Sequence, residues 1–192
     1  MPVLTGLQPE PDADSPVLDA FTGGLSIAYS AGPPFGADLL CRSDLRRLGM
    51  AHHTLRREAF ALLDSIVDGL RIHGQPPALM LSFQGLESSL LLADRVWRRL
   101  AAMVSGEPVV GVPARDVVVV TGSRSAAGLA KARRCVDRVM FAGGADLLSP
   151  HLLVRDHAGW TLFDPAPADA RPRIYEREAF QRVPVVRRSR YA

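Results

Sequence analysis

Three charged residues, at two points of the chain, are the clearest candidates for chemistry. Glu87 opens an apolar segment, and Arg115 and Asp116 lie together in a short connection between two Val-rich segments. Two carboxylates can act as general acid and general base, and a guanidinium can hold an anionic group through two parallel hydrogen bonds. A cleft that joins Glu87, Arg115 and Asp116 would therefore suit a small-molecule hydrolase.

The same three residues also have simple structural interpretations. A carboxylate in the first turn of a helix interacts favourably with the helix dipole, which would explain Glu87. An aspartate in a tight turn commonly accepts hydrogen bonds from nearby backbone N–H groups, which would explain Asp116 after Arg115. The structural interpretation is preferred in both places, so the sequence assigns no catalytic residue.

A weak anion-binding site is a second candidate, in the loop between a Val-rich segment and a helical one. Free backbone N–H groups and the helix dipole can bind phosphate at such a place. Gly122 and Gly128 resemble the nucleotide loop of short-chain dehydrogenases, but Ala126 stands where that loop has its middle glycine. An ordinary capped turn remains the alternative, and no dinucleotide is predicted. The residues of this candidate site are Ser123, Arg124 and Ser125.

Histidines and cysteines are too dispersed to indicate a metal site. His52-His53 precedes a helical segment, while His151 and His157 lie at the two ends of one predicted strand and its turn. Cys41 and Cys135 are far apart and form no C-x-x-C pattern. The G-x-S-x-G, H-E-x-x-H and P-loop patterns do not occur. The sequence therefore predicts neither a metal nor another cofactor.

The apolar periodicity predicts the elements that must position these residues. Residues 55–70, 86–104 and 129–140 have helical periodicity, and in the first of these Arg56 and Asp64 fall on the outer face. Strands and hairpins separate the helices, which predicts an α+β fold with a mainly antiparallel sheet and about three amphipathic helices packed on it. The predicted strands are residues 24–30, 37–41, 78–83, 109–112, 116–121, 151–155 and 160–163.

Composition divides the chain into three parts. Residues 1–22 are rich in Pro and Asp and predict a flexible acidic head, and residues 23–164 form a single α+β domain. Residues 165–192 are predicted to be a Pro-rich linker and a basic C-terminal tail, with a short helix at 174–183. Residues 171–192 carry seven arginines, which could contact the phosphates of a nucleic acid.

Two motifs within the central part resemble the YtpQ-like family of uncharacterised bacterial proteins. They are Gly85-Leu-Glu-Ser-Ser-Leu-Leu-Leu-Ala-Asp94, followed by Trp97, and Val110-Gly-Val-Pro-Ala-Arg-Asp-Val-Val118 with its neighbours. Leu148-Ser-Pro150 also fits, and the resemblance extends over about Leu25 to Phe163. The resemblance implies a longer front end than this chain has. It implies no established activity and no catalytic residues.

Arginine usage indicates the type of genome that encodes the protein, and the N-terminal residues indicate its cellular location. Lys131 is the only lysine among 23 basic residues, and asparagine is absent, which is typical of a G/C-rich bacterial genome. Met1 to Asp19 has neither a basic start nor an apolar core, so a secretory signal is not expected. The sequence predicts a cytoplasmic protein that does not enter a membrane.

Three functional hypotheses follow. The leading one is a non-catalytic binding or accessory protein with an unknown protein partner or small ligand. The alternative is a small-molecule hydrolase that uses Glu87, Arg115 and Asp116. Association with nucleic acid through the basic tail is a third hypothesis and the weakest, because few aromatic residues are interleaved with the arginines. A homodimer is possible through an exposed sheet edge.

Overall fold

The structure is a computed structural model that describes residues 1–9, 12, 14–33, 35 and 37–164. The predicted linker and tail at 165–192, the short helix at 174–183 and the nucleic-acid hypothesis that depends on the tail all lie outside the described residues. The strands of the described part are β1 Pro2–Thr5, β2 Leu18–Ala20, β3 Ser26–Tyr29, β4 Arg71–Gln75, β5 Ala78–Ser82, β6 Pro108–Ala114, β7 Val117–Gly122, β8 Leu152–Asp156 and β9 Gly159–Leu162. The α-helices are α1 Arg42–Leu48, α2 His52–Ile66, α3 Asp94–Ala101 and α4 Ala126–Ala142.

The larger sheet has six strands in the order β4-β5-β7-β6-β8-β9. Every neighbouring pair is antiparallel, and the β6–β7 and β8–β9 hairpins predicted from the sequence are both present. The Val-rich strands β6 and β7 are buried nearly throughout, because α4 covers one face of the sheet and the main core covers the other. The α+β fold with a mainly antiparallel sheet is confirmed.

The smaller sheet corrects the prediction for residues 1–22. Strand β1 pairs with β3 from Pro2↔Tyr29 to Thr5↔Ser26, and β2 pairs with the other edge of β3. Val3 and Leu4 are buried in the same core as the large sheet. Strands β1 and β2 are therefore part of the fold, and the described residues of the head do not form a separate flexible segment. Its strands are too short, and its Pro and Asp content too high, for a periodic pattern to reveal them.

The long second helix predicted over 86–104 is divided in two. Residues Glu87–Leu92 form a 3-10 helix, and α3 begins only at Asp94. Ala93 has an extended backbone between them, with φ −99° and ψ 94°. The apolar stripe identified the buried side chains correctly, since Leu90, Trp97 and Leu100 are all fully buried. It did not reveal the break, because burial continues on both sides of it: residues 87–91 are all buried, and so are Val96, Trp97 and Leu100 in α3.

Two other helices agree with the sequence. Helix α2 covers most of the first periodic segment and is followed by a 3-10 turn at Val67–Gly69. Helix α4 has Ser125 as its N-cap, whose hydroxyl accepts a hydrogen bond from Gly128 N, and Gly143 as its C-cap. Strand β4 was not predicted. Residues 37–41 do meet the strand before them, but only through the isolated bridge Ser30↔Leu39.

Within the described part of the chain, none of the helices combines the length and the apolar character that crossing a bilayer requires.

Candidate functional site

Glu87 belongs to a buried turn between β5 and the 3-10 helix. Its Oε1 accepts hydrogen bonds from Phe83 N at 2.7 Å and from Gly85 N at 3.2 Å, and the residue is only 5% exposed. Gln84 and Gly85 both have positive φ, so the chain turns back sharply and its N–H groups point at the carboxylate. Glu87 therefore holds its own turn together and is not available to a substrate in this conformation.

Arg115 and Asp116 sit at the turn between β6 and β7. The backbone of this turn does approach the Glu87 segment, since Ser88 N donates to Arg115 O at 2.9 Å. The Arg115 guanidinium, however, pairs with Asp146 at 2.7 Å, and the Asp116 side chain is exposed to solvent. The backbone segments that carry the three residues of the predicted hydrolase site are therefore in contact, but the side chains of Glu87 and Arg115 have different partners.

The backbone N–H groups of Ser123, Arg124 and Ser125 all donate hydrogen bonds within the protein. Ser123 N donates to Glu107 O, Arg124 N to Ser105 O and Ser125 N to Gly122 O, at 2.8 to 3.0 Å. The Ser123 hydroxyl accepts from Glu107 N, and the Ser125 hydroxyl caps α4. The predicted anion site is therefore an ordinary capped turn, because none of its three N–H groups is free.

Packing explains the glycines that resemble a nucleotide loop. A Cβ atom on Gly128 would lie 1.9 Å from Thr121 Oγ1 and 2.4 Å from Pro77 O. One on Gly122 would lie 2.1 Å from Ser105 O. Both glycines are required because α4 and the loop before β6 approach the sheet too closely for any side chain.

The described residues contain no cluster of three or more His, Cys, Asp or Glu side chains that could hold a metal ion. The two cysteines, Cys41 and Cys135, are free and half-buried, and burial raises the pKa of both thiols. A raised pKa keeps a thiol protonated at neutral pH, where only the thiolate is a strong nucleophile. Neither cysteine is therefore in the environment of a catalytic thiol.

A cleft with a volume of about 360 Å³ lies elsewhere in the described part. We call it the interlayer cleft, because the small sheet, α2, the end of the 3-10 helix and the β8–β9 hairpin all contribute to it. Such a volume lies at the lower end of the range for small-molecule sites. Its lining residues are Ala20, Phe21, Ile27, Arg56, Phe60, Asp64, Leu91, Leu92, Asp94, Arg155, Gly159 and Trp160.

A tryptophan pair makes one wall of the interlayer cleft rigid. Trp160 Nε1 donates to Leu91 O at 2.8 Å, and Trp97 Nε1 donates to Leu90 O at 2.7 Å. The two rings meet edge to face, with centroids 4.7 Å apart and an interplanar angle of 89°. Trp160 is thus fixed by the hydrogen bond and by Trp97 before any ligand arrives.

Arg56, which lines the cleft from α2, also belongs to a network centred on Asp19, a residue outside the lining. Its carboxylate accepts hydrogen bonds from the Tyr29 hydroxyl and from Arg56 Nη1, the latter at 2.7 Å, and His52 Nε2 lies 3.2 Å away. Burial, followed by the hydrogen bond to Asp19, raises the pKa of Tyr29 well above its ordinary value. Arg56 also lies over the Phe60 ring, 5.0 Å from its centroid.

The opposite wall carries a second arginine–aspartate pair. Arg155 Nη2, on β8, lies 2.6 Å from Asp94 Oδ1 at the start of α3. The Arg155 side chain is 21% exposed, whereas that of Asp94 is 81% exposed. The cleft lining therefore includes two cationic side chains, Arg56 and Arg155, and the aromatic rings of Phe60 and Trp160.

Sequence reasoning did not find this site. It placed Arg56 and Asp64 on an outer helix face, which is correct for their exposure but does not show that the face borders a cleft. Arg155 and Trp160 belong to a hairpin that was predicted, but no motif marked them. The only available signal was the presence of Trp160 and Arg155 on a short hairpin otherwise close to solvent.

Comparison with protein-family models, with curated proteins and with solved structures gives no match for this chain.

Proposed function

We propose that this protein is a non-catalytic binding protein whose small-molecule ligand occupies the interlayer cleft. The observation that carries the proposal is the cleft itself: about 360 Å³, with the fixed Trp160 ring on one wall and the Arg56–Phe60 stack on the other. Concave sites with apolar walls and a few placed polar groups are typical of small-ligand binding. A cytoplasmic location and membership of the YtpQ-like family are part of the same proposal.

The chemistry of the lining favours binding over catalysis. Among the described residues that line the cleft there is no Ser, Thr, Cys, His or Lys. The carboxylates present belong to Asp64 and Asp94, and both residues are exposed. General acid catalysis by a carboxyl group usually needs a buried site that favours its protonated form. The contacts of the proposed hydrolase residues give the hydrolase alternative less support, because Glu87 Oε1 accepts from its own turn and the Arg115 guanidinium pairs with Asp146.

An NMR titration tests the proposal. Four phenyl compounds serve as probes: benzoate, phenyl phosphate, benzylamine and benzyl alcohol. We expect at least one to shift the Trp160 indole N–H signal saturably at up to about 10 mM, the affinity range of such small ligands. The bound compound should be recovered chemically unchanged.

A matched pair of variants locates the binding. Ala20→Phe adds a phenyl ring to a residue that lines the cleft, whereas Ala142→Phe adds the same ring to an exposed residue at the end of α4. Binding should be lost in Ala20→Phe and retained in Ala142→Phe. The proposal is wrong if no probe binds the unmodified protein, or if both variants bind equally well.

A further inference from the structure

The two arginines that line the interlayer cleft, Arg56 and Arg155, differ in how firmly their partner aspartates are held. Asp19 is 17% exposed at its side chain and is contacted by Tyr29, Arg56 and His52 together. Asp94 is 81% exposed, and within the described residues its only side-chain hydrogen bond or ion pair is the one to Arg155. Asp19 is thus fixed in place, whereas Asp94 can turn away into water at little cost.

Arg155 itself is left with an unused donor. Its Nη2 is taken by Asp94, but its buried Nε has no hydrogen-bond partner among the described residues. A buried N–H without a partner is unfavourable, and a guanidinium presents Nε and Nη2 side by side, in the spacing of the two oxygens of a carboxylate or phosphate. The present contact with Asp94 uses only one side of this fork.

We propose that the interlayer cleft binds a small organic anion, whose carboxylate or phosphate replaces Asp94 on Arg155 and whose flat apolar part packs between Trp160 and Phe60. This inference rests on the proposed binding function and adds the class of ligand. When no ligand is bound, the Asp94 carboxylate takes the place of the ligand's anionic group and neutralises Arg155. The ligand offers oxygens to both Nε and Nη2, which the Asp94 contact does not.

The charges of the cleft favour an anion over a cation. Its acids are exposed, so water already solvates Asp64 and Asp94 and a cation would gain little from them. Arg155 is mostly buried, and its buried Nε has no acceptor among the described residues. Arg56 is already neutralised by Asp19, which three side chains hold in place, so Arg155 is the guanidinium that remains for an anion.

The test measures dissociation constants of benzoate, phenyl phosphate and benzylamine by the Trp160 indole N–H signal. In Asp94→Asn, the competitor on Arg155 is weakened at an exposed position that is safe for folding. We expect both anions to bind this variant about two- to fivefold more tightly, the range that an exposed ion pair can supply. Benzylamine should bind it no more tightly than the unmodified protein.

Arg155→Met gives the complementary loss. Methionine keeps the apolar stem of the side chain and removes the guanidinium, so packing against the hairpin is retained. Both anions should bind about tenfold more weakly or worse. Arg57→Met, at an exposed position on α2 outside the lining, is the matched control and should change nothing. A preference for phenyl phosphate or for benzoate identifies the oxyanion, and either result supports the inference.

Three results would overturn it. Benzylamine binding more tightly than both anions would show a cation site, and anion affinities unchanged in both Asp94→Asn and Arg155→Met would show that Arg155 is not used. In either case the proposed binding function survives, because a probe still occupies the cleft and Ala20→Phe still excludes it. Failure of every probe to bind either the unmodified protein or Asp94→Asn would remove both proposals together.

Discussion

The turn at Glu87 and the rim of the cleft at Asp94 lie close together in the chain but use their carboxylates in opposite ways. Glu87 is buried and accepts two backbone hydrogen bonds within its own turn. The Asp94 side chain is exposed to solvent and forms an ion pair with Arg155, a residue distant in sequence. Asp19, partly buried and contacted by three side chains, lies between these extremes.

The difference shows that burial, more than residue type, separates an acid that builds the fold from one that can exchange partners. Removing a buried acceptor leaves its donors without partners, which is costly, whereas an exposed pair is replaced by water. Between the two acids, the stability effects of substitutions should therefore follow exposure, with Glu87 before Asp19. Tyr29→Phe removes a single hydrogen bond and Arg115→Ala a surface ion pair, so these two should follow in that order. Any reversal of that order would break the comparison.

The largest effect is expected at Glu87. In Glu87→Ala, the N–H groups of Phe83 and Gly85 lose their acceptor in a buried turn. We expect the free energy of unfolding, measured with urea, to fall by about 3–5 kcal/mol. Glu87→Gln keeps one acceptor oxygen and should lose less. Glu58→Ala, at an exposed acid on α2, is the control, and an equal loss there would contradict the structural role of Glu87.

Asp19 should give the second largest effect. Asp19→Ala leaves the buried Tyr29 hydroxyl without an acceptor and Arg56 without its acid. We expect a loss of about 2–3 kcal/mol in the same measurement. The matched control is Asp68→Ala, since Asp68 also pairs with an arginine but its side chain is 86% exposed. Similar losses in the two variants would mean that the Asp19 network adds nothing beyond an ordinary surface pair.

Tyr29 adds a pH dependence to the same network. Its pKa is raised in the folded protein, so its contribution is fully present below the unfolded value of about 10 and is lost as the pH rises above it. At neutral pH, Tyr29→Phe should lower the free energy of unfolding by about 1–2 kcal/mol.

Alkaline titration separates this contribution from others. The difference in stability between the unmodified protein and Tyr29→Phe should be constant up to about pH 10 and should then shrink as the pH rises towards the raised pKa of Tyr29. The thiols of Cys41 and Cys135 also have raised pKa values, but they are present in both proteins and cancel in the difference. A difference that stays constant with pH would show that the Tyr29 hydroxyl is not a donor to Asp19.

Arg115 should give the smallest effect. Its guanidinium pairs with Asp146 at the surface, while its backbone carbonyl, which a substitution leaves in place, accepts from Ser88 N. Arg115→Ala should therefore lower the free energy of unfolding by less than about 1 kcal/mol. A loss as large as that of Glu87→Ala would show that exposure does not determine how much a charged side chain contributes to stability.

The sequence by itself determined the elements whose signals are local. The cap at Ser125 and the glycine at 143 fixed α4, and the turn after β8 formed as expected because Asp156 Oδ1 accepts from Ala158 N and Gly159 N. The two Val-rich runs and the short connection between them indicated β6 and β7 as an antiparallel hairpin. Each of these signals depends on residues within a few positions of one another, so a single sequence contains it completely.

Tertiary structure alone decided the pairing of β1 with β3, the close approach of Gly128 to Pro77, and the meeting of Arg56 and Arg155 at one cleft. Periodicity gives the face of an element that is buried but not the element that covers it. The partner of a charged side chain follows from that covering, since Asp94 and Arg155 are adjacent only after the β8–β9 hairpin packs beside α3. The candidate site at Glu87, Arg115 and Asp116 depended on such contacts. The backbones of Ser88 and Arg115 do meet, but the Glu87 carboxylate binds its own turn and the Arg115 guanidinium pairs with Asp146.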